Sequence, residues 1–187
     1  VIAVDTYGHG QTTGKRGHAE SMEAYMQQIE RLLTLAAQTA PQRPVFLYGH
    51  SMGGTLVLNY LFRYHPSIAG VIATSPAVRP GFAPPKLLLA IGRLARMVAP
   101  SFTQSNSLDL NYLSHDPGVI AAYKADPLVH NQVSGVVGLG LIEWGEWLLG
   151  NARATPAPLL LIHATEDRLT SYSATKELAS KLSGDVT

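Results

Sequence analysis

Val45-Phe46-Leu47-Tyr48-Gly49-His50-Ser51-Met52-Gly53-Gly54 is the stretch that decides how this chain folds. Four consecutive apolar residues lead into a glycine. From Met52 to Tyr64 the apolar residues then recur at helical spacing until Pro66. A short, continuous apolar run reads as a buried strand, so the change of period around Ser51 reads as strand, tight turn and helix.

The same rhythm extends outward. Upstream, Met22, Tyr25, Met26, Ile29, Leu32, Leu33 and Ala36 share one face of an amphipathic helix from Ser21 to about Gln38, closed by Pro41 and Pro44. Before it, Val1-Ile2-Ala3-Val4 reads as a first strand, followed by a loop marked by Gly8, Gly10, Gly14 and Gly17. Downstream, Val71-Ile72-Ala73-Thr74 reads as a strand ending at Ser75-Pro76. Leu159-Leu160-Leu161-Ile162 reads as another, followed by a loop with Glu166-Asp167 and a last helix from about Ser173 to Leu182. Alternating strands and helices with fully apolar strands predict a parallel sheet of four strands flanked by helices, an α/β fold. Between Val78 and Pro158 the alternation stops. That region opens with Pro80, Pro84 and Pro85 and reads as helices joined by polar loops, an inserted helical cap. The expected organisation is core over 1–77, cap over 78–157 and core again over 158–187.

Composition narrows the function classes. With 187 residues, 46% hydrophobic and 14% charged, and a net charge of +1, the chain suits one domain-sized core and has no basic footprint for nucleic acid. Cys is absent, which excludes disulfides, thiolate metal sites and a cysteine nucleophile. Arg93, Arg96, Glu143 and Glu146 interrupt the richest apolar regions, so no run reaches the ~18 residues of a membrane span. A soluble or peripheral, cytoplasmic protein is expected. The chain begins at Val1 inside an apolar run, which leaves the presence of a leader open.

Gly49-His50-Ser51-Met52-Gly53 matches G-x-S-x-G, a pattern that chance alone produces in roughly 6% of chains this long. Its context gives it meaning: a strand before and a helix after are what a nucleophile elbow requires, with glycines where side-chain bulk is not tolerated. Ser51 is then the candidate nucleophile, at the carboxyl end of a central strand, and the Met52 N–H the candidate oxyanion donor. The bland alternative is a glycine-rich turn with a solvated serine. A serine needs an imidazole base, and that base a carboxylate. Asp167, in the loop after the last strand, is the candidate acid, with Glu166 second; a surface or capping carboxylate is the alternative. The base is not evident. All seven His, at 9, 18, 50, 65, 115, 130 and 163, precede Asp167, whereas the order after an elbow is Ser, acid, His. His50 should point away from substrate, His65 reads as a helix end, His163 as the finish of its strand, and His115 and His130 lie in the cap.

Asp5-x-x-Gly8-His9-Gly10-Gln11-Thr12, Pro44 through Gly54, and Tyr123-x-x-Asp126-Pro127-Leu128 together resemble the monoacylglycerol lipase and lysophospholipase branch of the α/β-hydrolases. The likeness runs along the whole chain, departing where Thr12 replaces the usual Ser. It implies Ser51 as nucleophile and Asp167 as triad acid. It also implies two parts not found here: an upstream H-G loop giving the second oxyanion N–H, and a catalytic His in a loop beyond the last helix. Truncation at both ends is the expectation, and with it near inactivity of the 187-residue chain itself. His9 and Gly10 resemble an entrance loop with no catalytic role.

The resemblance implies cleavage of carboxylic esters of lipids, monoacylglycerols or lysophospholipids, with no metal or organic cofactor. In Lys86–Val98, Lys86, Arg93 and Arg96 fall within about 80° of an otherwise apolar helix, suited to a tunnel rim or to peripheral contact with a membrane, or simply to packing on the core. Val133–Trp147 carries Gly135, Gly138, Gly140 and Gly145, which would ease opening or close packing. Two enzymatic rivals share the fold: a small-ester carboxylesterase and an amino-terminal peptidase, the latter kept open by Asp109, Asp116, Asp126 and Glu143 as amine partners. A non-catalytic ligand-binding α/β-hydrolase is the rival from another class.

Overall fold

A computed structural model describes residues 1–187. The first helix, α1 (Met22–Thr39), precedes β1 (Phe46–His50), α2 (Met52–Tyr64) and β2 (Gly70–Thr74). Then come α3 (Lys86–Val98), β3 (Thr103–Ser105), α4 (Pro117–Ala125), β4 (Gln132–Ser134), α5 (Gly135–Asn151), β5 (Leu159–Ile162) and α6 (Tyr172–Lys181). No helix is long and apolar enough to cross a membrane. The residues form two compact units. One comprises 1–2, 26–82 and 141–187, the other 3–25 and 83–140.

In the first unit β1, β2 and β5 form a parallel sheet in that order, with β2 in the middle. Register sets Leu47, Val71 and Leu159 side by side, and all three are buried. The next row on that face brings Gly49 beside Ala73, small residues that let α2 lie close. Gly54 to Phe62 of α2 are buried without interruption, as expected of a helix at the centre of a core. The opposite face is open: Phe46, Tyr48 and Ile162 are more than half exposed.

Two expectations change here. Val1–Val4 belongs to no strand pairing, and Val1, Ile2 and Val4 are exposed. A β-branched run supplies propensity, but a strand exists only where a neighbour offers a matching ladder. The sheet therefore has three strands, and β1, expected to be central, is at its edge.

The second unit is not purely helical. β3 and β4 pair antiparallel, Thr103 opposite Ser134 and Ser105 opposite Gln132. Three-residue strands of mainly polar residues leave no periodic pattern to read. The motifs carrying the resemblance hold this unit's loops in shape. Asp5 Oδ2 accepts the Gln11 N–H at 2.8 Å, and Gly10, at φ 54°, lies so close that a Cβ would fall 2.1 Å from Asp5 Cγ. Asp126 ends α4 and accepts the Leu128 N–H at 2.8 Å. His130 Nε2 donates to Gly8 O at 2.7 Å and Nδ1 accepts the Gln132 N–H at 3.1 Å, and its ring lies 4.9 Å from that of His9.

Candidate active site

Ser51 lies between β1 and α2 with φ 52° and ψ −117°, a conformation L-residues avoid. The turn is held from both sides of its peptide. The Ser51 N–H donates to Thr74 O at 3.0 Å, and its carbonyl accepts from the Thr55 and Ala77 N–H groups, each at 3.1 Å. Serine at a helix start ordinarily caps it, yet this side chain makes no capping bond. The hydroxyl is thus left out of the helix's own hydrogen bonding. Met52 is the first helical residue, so its N–H has no carbonyl a turn earlier to bond and lies at the positive end of α2.

The glycines of the turn are not equivalent. A Cβ on Gly49 would sit 2.3 Å from Gly53 O, so the backbone crossing demands glycine there. A Cβ on Gly53 would meet nothing within 4 Å. The steric requirement read from the sequence for both positions holds at Gly49 and not at Gly53.

Asp167 lies in the loop after β5, and its side chain is 16% exposed. Oδ1 accepts the Leu169 N–H (2.8 Å) and the Thr170 N–H (2.9 Å), and Oδ2 accepts the Thr170 hydroxyl (2.9 Å). Burial alone would raise this carboxyl, but these donors outweigh it and hold the group below its ordinary range. Glu166, beside it, is exposed. Ser51 and Asp167 thus follow the carboxyl ends of β1 and β5, which the spacing of neighbouring strands sets about 10 Å apart.

Three histidines share this unit. His50 is exposed and bonds Thr74 Oγ1 through Nδ1 at 2.9 Å; the Tyr48 hydroxyl reaches the same oxygen at 3.1 Å. His65 ends α2 in the left-handed region, Nε2 3.1 Å from Phe62 O. His163, its side chain only 2% exposed, brings Nε2 to 3.5 Å from Asp167 Oδ2 and Nδ1 to 2.9 Å from Thr175 Oγ1. Burial lowers its pKa despite the nearby Asp167 and Thr170 carbonyl, and His50 adds to the lowering. A triad imidazole faces its acid with one nitrogen and the serine with the other. The second nitrogen of His163 faces α6 instead, so no His of this unit links Asp167 to Ser51. Sequence reading missed the contacts of Thr170 and His163 with Asp167. The available hint was positional: His163 directly follows a strand of the sheet.

The family model described as "Serine aminopeptidase, S33" matches residues 1–187. The chain is 33% identical over 186 residues to the monoacylglycerol lipase of Mycolicibacterium smegmatis, covering 99% of this chain and 66% of that protein. It is 28% identical over 178 residues to the phospholipase YtpA of Bacillus subtilis, covering 90% of this chain and 65% of the relative. The crystal structure of the Paleococcus ferrophilus monoacylglycerol lipase superposes with a TM-score of 0.87 at 33% identity, covering 96% of this chain and 68% of that one. The chain therefore spans about two thirds of the length of these relatives. The full-length family match and the lipase relatives agree with the likeness carried by the elbow, the Asp5–Thr12 loop and the Tyr123–Leu128 motif, and the chain belongs to the serine aminopeptidase S33 family of α/β-hydrolases.

Proposed function

We propose that the protein is a serine hydrolase that cleaves carboxylic esters of lipids, monoacylglycerols or lysophospholipids. The observation that carries this reading is Ser51, strained at φ 52° on a strand-to-helix turn with its hydroxyl unused by the helix. In the proposed reaction Ser51 Oγ attacks the ester carbonyl as the base removes its proton. The Met52 N–H stabilises the developing oxyanion, and the base returns the proton to the departing alcohol. Water then attacks the acyl-serine and gives its proton to the same base, which returns it to Ser51 Oγ as the Oγ–acyl bond breaks and the fatty acid leaves. Asp167 orients the base and stabilises its charged form, a role suited to a carboxyl held ionised by its donors. The base is assigned to the loop that the family resemblance implies beyond the last helix. The relatives named monoacylglycerol lipase and phospholipase support the lipid ester class.

Peptide hydrolysis is the second reading, favoured by the family's description. Against it, three acidic residues suggested as amine partners have local duties. Asp109, Asp116 and Asp126 each accept a backbone N–H two residues on, from Asn111, Gly118 and Leu128. Fatty-acid release from monoacylglycerol, compared with cleavage of an amino-acyl p-nitroanilide, tests the choice in the protein that carries the base loop implied by the resemblance. The ester is expected to be the better substrate and Ser51→Ala to abolish its turnover; equal turnover by Ser51→Ala would end the proposal.

Peripheral membrane contact is assigned to α3. Leu87, Ile91, Leu94, Met97 and Val98 are all exposed on this helix, beside Lys86 and Arg93, while Gly92 is buried. An exposed apolar stripe flanked by cations suits an anionic lipid surface. Cosedimentation with anionic vesicles is expected to fall in a Leu87→Ser, Leu94→Ser variant, and unchanged binding would count against α3.

A further inference from the structure

We propose that His130 is an acid-opened clasp: its neutral ring fastens the loop of residues 5–18 to β4, and a proton on that ring frees the loop. Both ring nitrogens are committed to the backbone. Nε2 donates to Gly8 O at 2.7 Å, and Nδ1 accepts the Gln132 N–H at 3.1 Å. An imidazole does both only when it is neutral and carries its proton on Nε2. A proton added to Nδ1 sets N–H against N–H, so one hydrogen bond is lost and the Gln132 donor is left facing another donor.

The loop is tied to itself and can move as a piece. Asp5 Oδ2 accepts the Gln11 N–H at 2.8 Å, the Thr12 hydroxyl donates to Thr6 O at 3.0 Å, and the Gly17 N–H donates to Gly8 O at 3.0 Å. It is joined to residues 130–134 by the His130 ring, by the Ser134 N–H donating to Gly17 O at 2.9 Å, and by His18 Nδ1, 3.1 Å from Ser134 Oγ. Imidazoles supply two of these joins. At Gly17 the backbones approach so closely that a Cβ would fall 2.0 Å from Gln132 O. The residue whose N–H His130 accepts is therefore the one against which the far end of the loop rests, and loosening it loosens the seam at both ends.

The neighbouring titratable groups push the same way. The His9 ring lies 4.9 Å from that of His130, with Nδ1 3.0 Å from Tyr7 O. Burial holds the His9 pKa down, helped by His130 and Arg16 and opposed by the Tyr7 carbonyl and Asp5. Burial also lowers His18, with Lys15 adding to the effect and Glu20 opposing it. A group whose folded pKa lies below its ordinary value binds its proton more readily once released, so acid favours the open loop at His9 and His18 as well. From α4, Tyr123 and Lys124 line the same cavity of about 320 Å3 as His130. Two stacked rings resist carrying two charges, and opening separates them.

The test is amide hydrogen exchange by NMR in the full chain at pH 7.5 and 5.5, corrected for intrinsic rates, with long-range 1H–15N spectra of the His130 ring. At pH 7.5 the ring is expected as the Nε2–H tautomer. Between the two pH values, protection of the Gly17 and Ser134 amides should fall about 10-fold more than that of the Val71 amide, which is bonded to Pro158 O in the sheet of the other unit. That step is the slope of one linked proton over one pH unit below about 6.5, where a released imidazole titrates. His130→Gln keeps an N–H donor but takes up no proton. It should shrink the step at least roughly threefold, whether its loop starts closed or open. An Nδ1–H tautomer at pH 7.5, a loss of protection at Val71 equal to that at Gly17 and Ser134, or a step left undiminished by His130→Gln overturns the proposal.

Discussion

The His163 ring directs Nε2 at Asp167, 3.5 Å from Oδ2, while Nδ1 meets Thr175 Oγ1 at 2.9 Å. Around Nε2 stand acceptors: the carboxylate, Thr170 O at 3.4 Å, and Thr170 Oγ1 at 3.3 Å, whose own proton goes to Asp167. The neutral ring therefore carries its proton on Nε2 and accepts the Thr175 hydroxyl at Nδ1. Because burial lowers the folded pKa below the ordinary 6.5, the unfolded chain takes up a proton first as pH falls. Stability contributed by the neutral ring is present above about pH 6.5 and is lost progressively below it. Asp167, with its folded pKa lowered from 3.8, adds a second loss at lower pH, as the folded carboxylate is protonated. Urea unfolding at pH 7.5 and 5.5 checks the first step. His163→Asn should lose less stability over that interval than the parent, in which His9 and His18, also shifted down by burial, respond in the same direction.

The elbow glycines should separate sharply. Gly49→Ala forces a Cβ into Gly53 O and is expected to cost at least 1–3 kcal/mol, in the range of overpacked sites. Gly53→Ala enters open space within the first turn of α2 and should gain about 0.5–1 kcal/mol from helix propensity. Chemical denaturation of the two variants reads both signs.

Ser51→Gly should make the chain more stable. The strain at φ 52° is worth roughly 1 kcal/mol or more, and glycine relieves it. A thermal midpoint below that of the parent would contradict the assignment of strain to this residue.

Arg63 is expected to resist even conservative replacement. Its guanidinium carbon lies 3.8 Å from the Trp147 ring centroid and 4.8 Å from that of Trp144, and Nε donates to Asn59 Oδ1 at 3.1 Å. Lysine keeps the charge but lacks the planar fork, so Arg63→Lys should cost about 0.5–1 kcal/mol. Asn59→Ala should cost more, about 1–3 kcal/mol, because Asn59 is fully buried and also donates to Thr55 O. Equilibrium unfolding followed by tryptophan fluorescence checks both.

The elements legible in the sequence were those whose own residues specify them. Val45–Tyr48, Val71–Thr74 and Leu159–Ile162 are apolar runs bounded by breakers, and α1 and α2 show helical spacing. Val1–Val4 carries the same local pattern, yet no strand pairs with it, because pairing is decided by a neighbour rather than by the run. The polar β3–β4 ribbon had no local pattern to offer. Ser51 and Asp167 could be proposed as nucleophile and acid because motif and order point to them. The contact of His163 with Asp167 could not, since it depends on how the loop after β5 folds back over the strand end, a tertiary fact absent from the apolar run alone.

The uncovered face of the sheet also dictates how this chain should be handled at the bench. Phe46 and Tyr48 are about 60% exposed and Ile162 51% exposed while the protein is fully folded. A solvatochromic dye that lights up on apolar surfaces will bind there before any melting begins. Thermal-shift curves recorded that way should start bright and understate the transition. Emission from Trp144 and Trp147, both carried by α5, reports unfolding without that background.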